Sequence, residues 1–203
     1  MSELFTHAGI SLARLAAGIA LSLAAGTLIG VVIGYFRLPR RIFSPLIYAL
    51  APVPKVALLP VVMLVFGLGD LAKIFLIFII MVFQVTIEVS GAVTRIPAEY
   101  LAPAKAAGAG TGSIIRLIVL PACVPELFVA LRVGLGTGIS ALFFAETFGT
   151  RWGLGFYIMD MWMRLNYRKM ALGIIAMALL GWGLTTLANV LERRLCPWKN
   201  NFR

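Results

Sequence analysis

Ser90-Gly-Ala-Val-Thr-Arg95-Ile-Pro-Ala-Glu-Tyr100-Leu-Ala-Pro-Ala-Lys105-Ala-Ala-Gly108-Ala-Gly-Thr-Gly112-Ser-Ile-Ile-Arg116 reads unlike the chain on either side of it. It is rich in Ala and Gly, carries Arg95, Glu99, Lys105 and Arg116, and is interrupted by Pro97 and Pro103. Such a stretch cannot cross a bilayer, which takes about 20 predominantly apolar residues in a row. Tyr100 to Ala107 holds good helix formers apart from Pro103, and Gly108 to Gly112 is dense in glycine. The pattern predicts a short helix, a turn, and a second helix entering the membrane near Leu117.

Outward from this segment the chain is apolar. Of its 203 residues 61% are hydrophobic and only 13% charged, and the mean hydropathy is +0.99. A soluble domain carries about 25% charged residues, so the solvent is lipid and the fold class is an all-α membrane protein. About five transmembrane helices fit, over roughly residues 10–33, 43–68, 71–89, 120–148 and 170–191, with 90–116 as the loop between the third and fourth. The whole of residues 1–203 reads as a single transmembrane domain. Met1 to His7 reads as a short tail before the first span, and Gly149 to Lys169 as a polar loop.

Two spans carry internal signals. In the first, Gly26, Gly30 and Gly34 recur every four residues and fall on one helix face, which allows another helix to approach closely. The second is broken by Pro45, Pro52, Pro54 and Pro60 and includes Lys55. It cannot be one straight helix, because each interior proline removes a backbone hydrogen bond. Within a membrane that is tolerated where protein or a water-filled cavity supplies partners. Pro52, Pro54, Lys55 and Met63 are therefore candidates for lining a translocation path. The other reading is a Pro-kinked helix buried between neighbours, with Lys55 snorkelling. Gly67-Leu-Gly-Asp70 predicts a tight turn into the third span.

The net charge of +10 is read as a topogenic signal and not as a nucleic-acid surface. The Arg37, Arg40 and Arg41 loop, the 90–116 loop and the C-terminal tail (Arg193, Arg194, Lys199, Arg203) together hold ten Lys and Arg. The other side holds five: Lys73, Arg151, Arg164, Arg168 and Lys169. That bias places the N-terminus outside and the C-terminus in the cytoplasm.

Enzyme chemistry finds no footing. The single histidine, His7, lies in the expected tail, which removes Ser-His-Asp and Cys-His arrangements. Cys123 and Cys196 lack metal-ligand spacing, so no metal site is expected. Gly108-Ala-Gly-Thr-Gly112 lacks the Gly-Lys-Ser/Thr of a phosphate loop, so no ATP hydrolysis by this chain is expected. Among ionisable residues in or beside spans are Glu88, Glu126, Arg132 and Glu146, which should face protein or water. Arg132 and Glu146 are further path candidates, Glu146 at the outer mouth or in a structural ion pair. Glu126 and Arg132 are six residues apart, so their partners should lie on other helices.

At the loop after the third span the residues resemble a known family. Ala102-Pro-Ala-Lys-Ala-Ala-Gly108, followed by Leu120-Pro121, is similar to the EAA loop of bacterial ABC importer permeases. Further segments narrow the resemblance to the nitrate, taurine and alkanesulfonate type. They are Ser11-Leu-Ala-Arg14 with Gly30 and Gly34, Pro52-Val-Pro-Lys-Val-Ala-Leu-Leu-Pro60, Phe66-Gly-Leu-Gly-Asp-Leu-Ala-Lys73, Leu131-Arg132, Ala145-Glu146 and Leu191-Glu-Arg-Arg194. Two departures stand out: Ala102 occupies the position of the motif glutamate, with Glu99 one turn upstream as a substitute, and Pro103 replaces an alanine. The family usually has six spans, of which the first is absent here, in keeping with an outside N-terminus.

The resemblance implies a type I ABC importer permease fold in the bacterial inner membrane and a mechanism to match. Glu99, Ala102, Pro103, Ala104, Lys105, Ala107, Gly108, Ala109, Leu120 and Pro121 would form the coupling surface for two separate ATPase subunits, which hold the ATP and Mg. A second permease copy would complete the path. A periplasmic or lipid-anchored binding protein would deliver a small anionic solute such as a sulfonate, nitrate or bicarbonate to the outer face, where the basic 149–169 loop lies. A self-sufficient secondary transporter or channel is the alternative, and no internal repeat supports it.

Overall fold

The computed structural model describes residues 2–197. Among them there is no strand, and the order is α1 (Ser2–Tyr35), α2 (Arg37–Leu50), a 3-10 turn (Lys55–Leu58), α3 (Leu59–Phe66), α4 (Asp70–Arg95), α5 (Ala98–Ala106), α6 (Thr111–Ile114), a π-helical turn (Ile115–Val119), α7 (Leu120–Thr147), α8 (Leu154–Met163) and α9 (Tyr167–Leu195). Four helices are long and apolar enough to cross a membrane, and the bent pair over α2 and α3 brings the number to five. Lys199 and Arg203, counted above in the tail, lie outside the described residues.

The α1 glycines set the central packing. A Cβ on Gly26, Gly30 or Gly34 would meet Val85, Val89 or Val93 at 2.6–2.7 Å, and one on Gly18 would meet Ile77 at 2.6 Å. Ser22 completes the row, donating to Gly18 O and Phe78 O. In lipid no hydrophobic force draws helices together, so such close van der Waals approach carries the association. One turn on from Ile77 along the same stripe of α4, Met81 fills the space left by Gly134 and Gly138 of α7. Small residues of both α1 and α7 thus meet this stripe.

The pairing also fixes direction. Gly18 meets Ile77 and Gly34 meets Val93, so α1 and α4 run parallel and the chain between them must return across the full thickness. A 14-residue α2 is about 21 Å long, and the 3-10 turn plus α3 about 20 Å. At a bend of 87° these legs span about 29 Å on the diagonal, close to the roughly 30 Å of the hydrocarbon core. The proline-rich segment is therefore one crossing folded at a right angle.

Four local expectations are corrected. The Arg37 to Arg41 stretch is not a loop but the first turns of α2. The N-terminal tail is helical from Ser2, because α1 continues outward past the predicted start. The 149–169 loop contains α8, whose Leu154, Tyr157, Ile158 and Met161 are buried. Lys73 is not a surface charge: it is fully buried, and its ammonium donates to Leu68 O (2.7 Å) and Gly69 O (3.1 Å) in the turn before α4.

Candidate functional site

The loop singled out by sequence forms a surface set off by its own turn. α5 has no buried residue and ends in a Schellman motif: Ala109 N donates to Ala104 O (3.0 Å), Gly108 N donates to Lys105 O (3.0 Å), and Gly108 takes φ 78°. That left-handed residue closes the helix at a cost a side chain would raise, which is why glycine stands there. Ala102, Pro103, Lys105 and Ala107 are exposed, with Ala104 and Ala109 half-buried against the body. Glu99 is exposed one turn from Ala102 and has no partner among the described residues, so a carboxylate does stand on that face. Leu120 and Pro121 follow the π-helical turn, where Leu120 N donates to Ile115 O. Pro121 has no N–H to donate to the preceding turn, and the wider turn stands directly before it.

A second feature lies at the bend of the broken span. A cavity of about 600 Å³ is walled by Lys55 and Val56 from the 3-10 turn, Phe83 and Gln84 from α4, and Thr137 and Ser140 from α7. With Ile80 and Ile87 the α4 residues follow the spacing of one helical face, as do Thr137 and Ser140 with Val133 and Gly136 on α7. Lys55 Nζ donates to the carbonyls of Leu50 (3.1 Å), Ala51 (2.9 Å) and Val53 (3.4 Å) and sits 4.6 Å from the Phe83 ring centroid. Its three N–H groups thus cap the end of α2 and hold the bend. Gln84, Thr137 and Ser140 were missed in the sequence; the polar positions among the closely spaced glycines of α7 were the available signal.

The other path candidates separate. Pro52 and Pro54 are exposed in the linker beside this cavity, and Met63 packs half-buried against Leu59, Leu76, Ala141 and Ala145. Arg132 belongs to a different cavity of about 490 Å³ between α7 and α9, where it pairs with Glu192 and donates to Asn189 Oδ1. Glu126 pairs with Arg95 at 3.6 Å, so both charges find partners on other helices as expected.

Glu146 lies in a structural ion pair with Arg14, the second of its two readings above, within a buried network. It is fully buried and accepts from Arg14 Nη1 (2.8 Å), the Ser11 hydroxyl (2.8 Å) and Gly155 N (2.9 Å). Arg14 also donates through Nε to Asp70 (2.8 Å) and through Nη1 to Trp152 O (2.8 Å). The first amides of α8 are met by side chains in turn: Gly153 N donates to His7 Nδ1 (3.0 Å), Leu154 N to Ser11 Oγ (2.8 Å), and Gly155 N to Glu146. A negative carboxylate at a helix N-terminus is favourably placed. A Cβ on Gly153 would run into the Glu146 carboxylate, and one on Gly155 would lie 2.6 Å from Phe143 O, so glycine is required at both. His7, expected in a tail, is buried among Trp152, Phe156 and Tyr157. Burial, and secondarily Glu3, pushes the Tyr157 phenol above its ordinary pKa. Arg14 was legible as a charge inside an apolar span but was not counted among the ionisable residues.

Residues 23–199 match the family described as binding-protein-dependent transport system inner membrane component. The chain belongs to this family. As a permease it is 30% identical to the taurine transport system permease protein TauC of Escherichia coli, over 97% of this chain and 72% of that protein. It is 30% identical to the putative aliphatic sulfonates transport permease protein SsuC of Bacillus subtilis, over 98% and 72%, and to the nitrate import permease protein NrtB of Leptolyngbya laminosa, over 96% and 70%. The fold of the permease matches a chain of the inward-facing MetNI methionine ABC transporter with a TM-score of 0.83 at 20% identity, covering 96% of this chain and 97% of that one. It is the type I ABC importer permease fold, as expected.

Proposed function

We propose that this permease forms one half of the solute path of an ATP-driven importer, with a second copy of the chain as the other half. Two ATPase subunits dock on the α5 surface, and ATP and Mg reside with them. The observation that carries this reading is the geometry of α5: a short helix with no buried side chain, closed by Gly108 in the left-handed region, followed directly by a membrane helix. A load applied to α5 passes through Gly108 into α6 and α7. Glu99 takes the part of the missing glutamate at Ala102.

The solute path runs past the 600 Å³ cavity, and the solute is a small anion such as a sulfonate or nitrate, in keeping with what the relatives carry by name. Lys55 contributes a fixed positive field there while its N–H groups hold the bend. A binding protein delivers solute at the α8 end. The N-terminus lies outside, because the Arg37, Arg40, Arg41, Arg95, Lys105 and Arg116 group sits at the α5 end of the helices. An impermeant thiol reagent should label a cysteine at Glu3 in intact cells; labelling only after lysis reverses the orientation.

Gly108→Asp is the direct test of coupling. Nothing lies within 4 Å of a Cβ placed there, and Asp visits the left-handed region more readily than most residues, so the chain still inserts and folds. Solute uptake in proteoliposomes should fall at least tenfold, with ATPase docking lost or hydrolysis uncoupled. Wild-type uptake and complex formation would remove α5 from the coupling role.

A further inference from the structure

A small crevice beneath α5 is used by nothing described so far. It measures about 240 Å³ and is lined by Tyr35 at the end of α1, Arg40 in the first turn of α2, Thr94 in the last turn of α4 and Lys105 of α5. Among the described residues no carboxylate lines it. Arg40 Nε donates to Ile33 O (3.3 Å) and its Nη2 to Gly34 O, which caps the end of α1. That leaves both Nη1 hydrogens and one on Nη2. Lys105 is exposed and has no partner among the described residues. The carboxylates nearest in the chain are occupied or turned away: Glu88 accepts from Gln84, Glu126 pairs with Arg95, and Glu99 precedes Lys105 by six residues, on another side of α5.

Beside the two cations the wall combines Tyr35 and Thr94 with the apolar side chains of Val93, Ile96, Leu101 and Val119. A crevice that is cationic and polar, edged by apolar side chains and placed where α1 and α4 leave their apolar spans, suits an amphiphile with a negative head. We infer that this crevice binds the phosphate of an anionic phospholipid, held between Arg40 and Lys105 at the membrane surface under α5. Exposed Arg37 and Arg41 on α2 add to the attraction. The binding does not rest on the coupling role of α5; if that role holds, the bound headgroup ties α5 to α1 and α4.

The test uses the full chain in nanodiscs of phosphatidylcholine mixed with phosphatidylglycerol, extracted gently and weighed with its retained lipid by native mass spectrometry. The wild type should retain phosphatidylglycerol in preference to phosphatidylcholine. Lys105→Gln should lower that retention about fivefold, in line with the contribution of one basic residue near an anionic surface. Arg116→Gln, an exposed cation outside the crevice, should leave it nearly unchanged. Both substitutions are on the surface, so folding is preserved. Equal retention of the two lipids by the wild type overturns the inference, as does an equal loss in the two variants, which would signify only diffuse attraction. Displacement of phosphatidylglycerol by millimolar inorganic phosphate overturns the lipid assignment in favour of a soluble phosphate.

Discussion

The two ends of the helix bundle are built on opposite plans. At the α8 end, side chains from α1, α4 and α7 converge on the first turn of α8, and Arg14, Glu146, Ser11 and His7 are all buried. Among the described residues no buried side-chain polar atom lacks a partner. At the α5 end the geometry comes from the backbone: a Schellman turn, a left-handed glycine and a π-helical turn position a helix whose side chains touch little. One end is completed within the chain, and the other presents a surface that it leaves uncovered. Substitutions at the α8 end should therefore appear in stability, and those at the α5 end in partner-dependent behaviour.

The largest effect is expected at Glu146. Glu146→Ala leaves Gly155 N and part of Arg14 without an acceptor in a dry site, and removing one partner of a buried pair costs about 3–5 kcal/mol. Thermal unfolding in detergent should show a clear fall in midpoint. Arg14→Met combined with Glu146→Met should recover part of the loss, because two apolar side chains leave no charge stranded. A fall no greater than that of an exposed α5 substitution would end the contrast between the two ends.

Gly153 and Gly108 sharpen the comparison, since both have positive φ, at 118° and 78°. At Gly108 a Cβ finds open space, whereas at Gly153 it meets the Glu146 carboxylate. Backbone strain alone costs about 1–3 kcal/mol, and Gly153→Ala adds displacement of the network. Gly153→Ala should lower the unfolding midpoint more than Gly108→Ala, which changes only the turn. Equal shifts would mean that the α8 end relaxes freely around the new methyl.

The sequence carried the number of spans, a break in the second and the short helix before Gly108, because lipid and backbone chemistry act locally. Apolar runs, interior prolines and a glycine after a helix each speak for themselves. The Gly26, Gly30, Gly34 face was legible too, although its partner residues on α4 were not. What stayed hidden depends on residues far apart in the chain. His7 and Gly153, or Arg14 and Glu146, become neighbours only after α1 and α4 pair in parallel and α7 returns alongside. A polar segment with several charges reads as a loop, and nothing near residue 154 announces that its amides will be capped from α1. The same limit applies to Glu146: its residue type left an outer mouth and a structural ion pair both open, and its burial against Arg14, Ser11 and α8 depends on residues far apart in the chain.

The smallest effect is expected for an ion pair at the α5 end. Arg95 and Glu126 approach to 3.6 Å, but Arg95 is 63% exposed and Glu126 34%. Exposed pairs contribute about 0–1 kcal/mol and are screened by salt. Arg95→Gln should therefore shift the unfolding midpoint by little at low salt and by less at high salt. Its chemistry is close to that of Arg14 with Glu146, a guanidinium facing a carboxylate on another helix, so burial is the main variable between them. A stability loss from Arg95→Gln comparable to that from Glu146→Ala would show that the α5 end is as tightly fixed as the α8 end, and that α5 does not depend on a partner to hold its place.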